Sequence, residues 1–175
     1  TQSLDGCFIS LEYTGVIKRL IYQFKYKPYV TDIQHMMHDL LYEGIIQKEA
    51  LMHILSLEKD RVLLPIPLHA KKLRARGYNH AEILGKHLGR TLRIHLIDNL
   101  VRVKETAVQF GLSKQQRKEN IQNAFVVKNR AEIENKTVFL FDDIVTTGVT
   151  FIEAAKVLKK AGAKNVYGIA FAGEN

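Results

Sequence analysis

The residues of this chain best suited to chemistry fall in one run, Val138-Phe139-Leu140-Phe141-Asp142-Asp143-Ile144-Val145-Thr146-Thr147-Gly148-Val149-Thr150. Two adjacent carboxylates end an apolar stretch that has the pattern of a buried strand, and a short turn of Thr and Gly leads from them into a helical pattern. In open α/β sheets ligands sit beyond the carboxyl ends of the strands, where this turn falls. A phosphate needs free backbone N–H groups at a helix N-terminus, hydroxyl donors such as Thr146, Thr147 and Thr150, and a glycine that lets the chain come close. Two sugar hydroxyls need acceptors, which Asp142 and Asp143 supply. The order therefore suits a ribose 5-phosphate. Threonines can simply cap a helix, but capping does not explain two aspartates closing an apolar strand.

Other phosphate loops are excluded. The chain has no G-x-x-x-x-G-K-[ST] and no G-x-G-x-x-G. Its charge is uneven: residues 59–130 hold 16 Lys/Arg against 5 Asp/Glu, whereas the rest of the chain holds 10 against 13. A basic middle on a nearly neutral frame points to an anionic partner, a phosphorylated small molecule or nucleic acid, set against the plainer reading of a solvated basic face.

The elements that must position these groups follow from periodicity. Cys7–Tyr13 predicts a strand, and Val16, Ile17, Leu20, Ile21 and Phe24 predict a helix closed by Pro28. Helical patterns continue through 33–42 and 45–57. Arg61–Pro67 predicts a buried strand ended by proline, and Tyr78–Leu92 an amphipathic helix. Thr137–Phe141 predicts a strand covered on both faces, 148–160 a helix, and Asn165–Phe171 a last strand. Strands alternating with helices argue for an α/β fold with a parallel sheet flanked by helices.

The 175 residues, 46% of them hydrophobic, suffice for a single compact unit without metal or disulfide staples. No segment approaches the length of a membrane span, and Thr1-Gln2-Ser3-Leu4 does not read as a signal peptide. The lone Cys7 cannot make an internal disulfide. A cytoplasmic protein is expected.

The Asp-Asp-x-x-Thr-Thr-Gly-x-Thr run resembles the 5-phosphoribosyl-1-pyrophosphate (PRPP) loop of type I phosphoribosyltransferases. The likeness extends to Phe24-Lys25-Tyr26, Leu64-Pro65-Ile66-Pro67-Leu68 and Arg74-Ala75-Arg76-Gly77-Tyr78-Asn79. It also takes in Gln109, Leu112, Arg117, Asn120, Ala124 and Phe125. Together these are similar to the ComF branch of that superfamily, which contains competence-associated phosphoribosyltransferase-like proteins. Two features depart from the branch: of the four-cysteine zinc ribbon often found ahead of the domain only Cys7 could remain, the ribbon being either trimmed with the start or never part of this member, and His80 stands where Gln is common. The plainer reading of His80 is a surface or hydrogen-bonding residue.

The resemblance implies a type I phosphoribosyltransferase fold, with residues 1–58 as a small helical N-terminal hood and 59–175 as the core. It implies Asp142, Asp143 and Arg76 as catalytic residues. Ile144, Val145, Thr146, Thr147, Gly148, Val149, Thr150 and Pro67, together with those three, would bind PRPP. The segment Pro65–Arg76 would be the pyrophosphate loop, with Lys71, Lys72, Arg74 and Arg76 neutralising the diphosphate. Arg102, Gln109, Arg117 and Asn120 would belong to a flexible loop closing over the site. Mg²⁺ would arrive through PRPP, with no protein ligand assigned to it. In the hood, Phe24, Lys25, Tyr26 and Tyr29 either stack on an acceptor base or simply pack.

Three functions stay open at this level: a Mg²⁺-dependent phosphoribosyltransferase with an unidentified acceptor, a single-stranded-DNA-binding competence factor, and a PRPP sensor without turnover. A homodimer is also open.

Overall fold

A computed structural model of the protein describes residues 3–26, 31–106 and 114–174. The expected contacts at Gln109 and Leu112, the aromatic Tyr29 and the helix-closing Pro28 lie outside them, as does the side chain of Arg117. Among the described residues no helix is long and apolar enough to cross a membrane.

The elements run β1 (Gly6–Glu12), α1 (Gly15–Tyr26), α2 (Thr31–Ile46), α3 (Glu49–Leu57), β2 (Arg61–Pro65), α4 (Ala70–Arg76), α5 (His80–Leu92), β3 (His95–Leu96), β4 (Leu100–Arg102), α6 (Lys114–Ile121), β5 (Phe125–Val127), β6 (Thr137–Val145), α7 (Val149–Lys160) and β7 (Asn165–Gly173). Five strands form one sheet in the order β1-β7-β6-β2-β3, with every neighbouring pair parallel. The expected parallel α/β sheet is therefore present. β4 and β5 form a separate antiparallel pair, which the sequence patterns did not single out.

The apolar runs explain the layers. Leu63, Phe139, Phe141, Ile169 and Phe171 bury one face of the sheet against α1, α2, α3 and α5. Val62, Leu64, Val138, Leu140 and Val166 bury the other face, largely against α7 and the β4–β5 pair. Each fully buried Phe or Leu contributes roughly 1.5–3 kcal/mol.

The segment read as a hood is tied into this architecture. β1 extends the sheet beside β7, and α2 lies across β1 at Gly44, where any Cβ would fall 2.1 Å from Ser10 Oγ. Helix α3 starts at Glu49 rather than Ile45, because residues 45–46 complete α2 and the chain turns after them.

One detail of register creates the site. β6 pairs with β2 only as far as Phe141, yet it stays paired with β7 to Val145. β2 stops at Pro65-Ile66-Pro67, and a proline has no N–H with which to extend the ladder. Asp142 and Asp143 thus lie inside a nine-residue strand, four residues longer than its apolar run, with their β2 side open.

Candidate functional site

A cavity of about 680 Å³ opens where β2 leaves β6. Its floor is Asp142, Asp143 and Ile144 of β6, and its walls come from α1, the 66–68 turn, α4, the start of α5 and the end of β4. A small cleft of about 30 Å³ adjoins it, formed by Ile144–Phe151 with Asp142. Thr150 lines both. The carboxylate pair and the Thr-Gly turn, neighbours in sequence, therefore serve two adjoining depressions.

The turn has the form that a phosphate needs. Gly148 takes the left-handed conformation at φ 69° as the residue before α7, and its side-chain position is open space. That geometry turns the chain so that α7 begins with its free N–H groups at the cleft. Gly148 itself offers no side-chain cap to this helix end, and the Thr147 hydroxyl is buried without a partner.

The aspartates differ in state. Asp143 is 8% exposed and forms an ion pair with Lys25, Nζ to Oδ2 2.7 Å. Burial would raise its pKa, but the Lys25 ammonium outweighs burial and holds the carboxyl below its ordinary value. Asp142 is pushed well above the usual carboxylate range, first by burial and then by the negative charge of Asp143. Its Oδ1 accepts the Asp143 backbone N–H at 2.9 Å. Two carboxylates this close cannot both ionise freely, and Lys25 selects which one does.

The basic wall sorts the four expected cations by helical phase. Residues 70–76 are a helix rather than a loop, opened by His69 and closed by Gly77 in the left-handed conformation. Lys72 and Arg76, one turn apart, line the cavity. Lys71 turns away to Glu105 at 3.0 Å, and Arg74 is exposed outside the lining. Burial, followed by the nearby Arg102 and Arg76, lowers the Lys72 pKa. Pro67 lines the same wall, and Asn79 fixes it by donating from Nδ2 to the Ile66 carbonyl at 3.0 Å while capping α5.

Arg102 reaches the cavity from the end of β4, registered against Phe125, and not from a loop. Its guanidinium donates to Thr106 Oγ1 and lies 5.7 Å from the Phe125 ring, leaving Nε buried without a partner. Burial lowers its pKa, against the pull of Asp142. Asn120 lies on α6, outside the cavity lining.

Of the two plain readings of His80, surface or hydrogen-bonding residue, the structure shows the second. His80 is 2% exposed, packed edge-on against Phe24 and Tyr78. Arg76 lies 3.2 Å from its Nδ1, and because arginine only donates, Nδ1 must accept and Nε2 must carry the proton. Burial, aided by Arg76 and Lys25 and opposed by Asp143, pushes its pKa down to about 4, so the ring is neutral.

Among the aromatics of α1, Phe24 is core, whereas Tyr26 lines the cavity mouth and is 64% exposed. Sequence reasoning assigned neither the Lys25–Asp143 pair nor Tyr78, which lines the cavity and donates its hydroxyl to the Lys25 carbonyl at 3.0 Å. The one sequence signal for both was their place within the motifs Phe24-Lys25-Tyr26 and Arg76-Gly77-Tyr78-Asn79.

A parallel sheet with an acidic pair near the carboxyl end of a central strand, followed by a Thr-Gly turn into a helix, defines a protein of the type I phosphoribosyltransferase fold. The family model for the phosphoribosyl transferase domain matches residues 76–173. Competence protein F of Haemophilus influenzae is 35% identical over 166 residues, covering 94% of this chain and 71% of that protein. The chain belongs to the phosphoribosyltransferase family, in its ComF branch. DNA utilization protein YhgH of Escherichia coli K12 is 34% identical over 108 residues, 61% of this chain and 46% of that protein. Among solved structures, that of the allosteric regulatory enzyme of purine biosynthesis overlays with a TM-score of 0.50 at 17% identity, covering 79% of this chain and 26% of the other, a likeness of fold alone.

Proposed function

We propose that this protein binds PRPP and transfers its ribosyl group to an acceptor with release of pyrophosphate, in a cell's handling of DNA during competence. The observation that carries this reading is a set of unsatisfied donors. Among the described residues Thr147 Oγ1 and Arg102 Nε are buried side-chain polar atoms without a partner, and both belong to residues lining the cavity or its adjoining cleft. Each costs about 1–3 kcal/mol, a cost that a polyanionic ligand at Thr147 and Arg102 would offset. The names of the Haemophilus and Escherichia relatives support the link to DNA.

In this reading the 5-phosphate sits at the start of α7, where backbone N–H groups and the Thr147 hydroxyl meet it. Asp143, already ionised, accepts from one ribose hydroxyl, and Asp142 takes the other. Lys72, Arg76 and Arg102 face the diphosphate. In the same reading Mg²⁺ would be held by the diphosphate, whose negative charge it would neutralise. In the reaction the bond from the ribose anomeric carbon to the diphosphate breaks, its electron pair leaves with pyrophosphate, and the acceptor's lone pair forms the new bond. The oxocarbenium-like transition state needs a stabilised leaving group, which the cationic wall supplies.

Calorimetric titration of PRPP with and without Mg²⁺ tests this reading. Micromolar binding that an Asp143→Asn variant loses supports it, and pyrophosphate release in an acceptor screen separates transfer from sensing without turnover. Absence of binding by the intact protein overturns it. The outward Arg74 and the basic excess of residues 59–130 favour a second reading, contact with single-stranded DNA. That contact must weaken as salt rises; binding insensitive to salt sinks it.

A further inference from the structure

We infer that Lys25 is a positioning residue of the ribose site: from the last turn of α1 it fixes the Asp143 carboxylate as the ionised hydroxyl acceptor of the acidic pair. The inference rests on the PRPP reading above and assigns a role in that site to α1, an element outside the sheet.

The geometry is specific. A lysine near a helix C-terminus ordinarily stays in water or reaches the last carbonyls of its own helix. Lys25 instead spans to β6, and its ion pair is sheltered, with side-chain exposures of 23% for Lys25 and 11% for Asp143. Its backbone is anchored as well, because the Tyr78 hydroxyl, from the turn between α4 and α5, donates to its carbonyl. Lys25 is thus held at both ends, by the α4–α5 turn and by the carboxylate.

The other charged and titratable groups facing Asp143 cannot take this part. Asp142, beside it on β6, carries the opposing charge. His80, from α5, is neutral because Arg76 of α4 occupies its Nδ1 and burial disfavours its cation. Arg76 is directed to His80, so Lys25 is the cation in contact with Asp143. Remove it, and two adjacent carboxylates share a partly desolvated floor without a counter-charge, so a proton enters the pair at higher pH. A protonated Asp143 is a poorer acceptor for a sugar hydroxyl. PRPP affinity should then fail at a higher pH.

The test combines two readouts on the intact protein, Lys25→Met and Lys25→Arg. Carbon-detected NMR follows the Asp143 carboxyl directly, and calorimetry follows PRPP with Mg²⁺ across the acid limb, about pH 4 to 7. Lys25→Met is expected to move the Asp143 titration upward by about one pH unit or more, and the acid-side loss of PRPP affinity should move with it. Lys25→Arg, which keeps the charge, is expected to stay near wild type. If Lys25→Met fails to fold, Tyr78→Phe, which frees the Lys25 carbonyl, should show a smaller shift in the same direction. A titration and acid limb unchanged in Lys25→Met, or shifted equally in Lys25→Arg, overturn the inference while wild-type PRPP binding leaves the functional reading standing. If wild type binds no PRPP at any pH, that reading fails and the positioning role falls with it.

Discussion

At the amino-terminal end of the sheet, the carboxylates of Glu58 and Asp5 meet several partners each. Glu58 accepts from Thr137 Oγ1 at 3.0 Å and from Lys164 Nζ at 2.9 Å, with Asn165 beside it. Asp5 accepts the Val166 backbone N–H at 2.7 Å and pairs with Lys159 at the same distance. At the carboxyl-terminal end the buried Thr147 hydroxyl and Arg102 Nε have none. One end is finished for folding, whereas the other holds donors in reserve where an anion would sit. In the PRPP reading, unsatisfied polar atoms mark the ligand end of this sheet more sharply than charge density does.

The largest effect that would break this comparison is expected at the floor of the cavity. An Asp142→Asn/Asp143→Asn double variant should lower PRPP affinity by roughly 100-fold in calorimetry, since the hydrogen bond to the ionised Asp143 is worth about 1.5–3 kcal/mol and that to Asp142 about 0.5–1.5 kcal/mol. Its melting temperature should fall as well, because the variant leaves the sheltered Lys25 ammonium without its counter-charge. A matching change at the opposite end, Glu58→Ala, should cost about 1–3 kcal/mol in urea unfolding and leave PRPP affinity unchanged.

The same end has a pH signature. The hydrogen bond from Lys164 holds the Glu58 carboxyl below its ordinary value, against the opposing effect of burial. Its stabilisation is therefore fully present above the unfolded carboxylate pKa, about 4.3, and is lost as pH falls through the lower folded value. Glu58→Gln should flatten that acid limb of unfolding free energy against pH.

Two smaller effects sharpen the contrast. Thr147→Val removes an unsatisfied hydroxyl, so stability should hold or rise slightly while PRPP affinity drops about 10-fold. A loss of stability without loss of affinity would show that hydroxyl to be structural. Gly148→Ala should cost only about 1 kcal/mol in unfolding, from its positive φ, because open space surrounds the added methyl.

How much was legible before folding depends on distance along the chain. Asp142, Asp143, Thr147 and Gly148 are near neighbours, and strand, turn and helix keep them together whatever the rest does. The cation wall was half legible. The sequence lists Lys71, Lys72, Arg74 and Arg76, but helical phase alone points Lys72 and Arg76 inward, and that phase required recognising a seven-residue helix in a presumed loop. The β4–β5 pair was missed because three-residue strands carry too little alternation to show a period.

By itself, then, the sequence determined the parallel α/β layering and the acidic pair feeding a Thr-Gly turn, because apolar periodicity and local order survive in one dimension. Tertiary structure alone decided that Lys25 of α1 charges Asp143 of β6, that His80 is a buried neutral wedge, and that β6 outruns β2 to open the cavity. Those outcomes depend on which distant segments meet and on what water they exclude, and a carboxylate's state is set by that company and not by its neighbours in the chain.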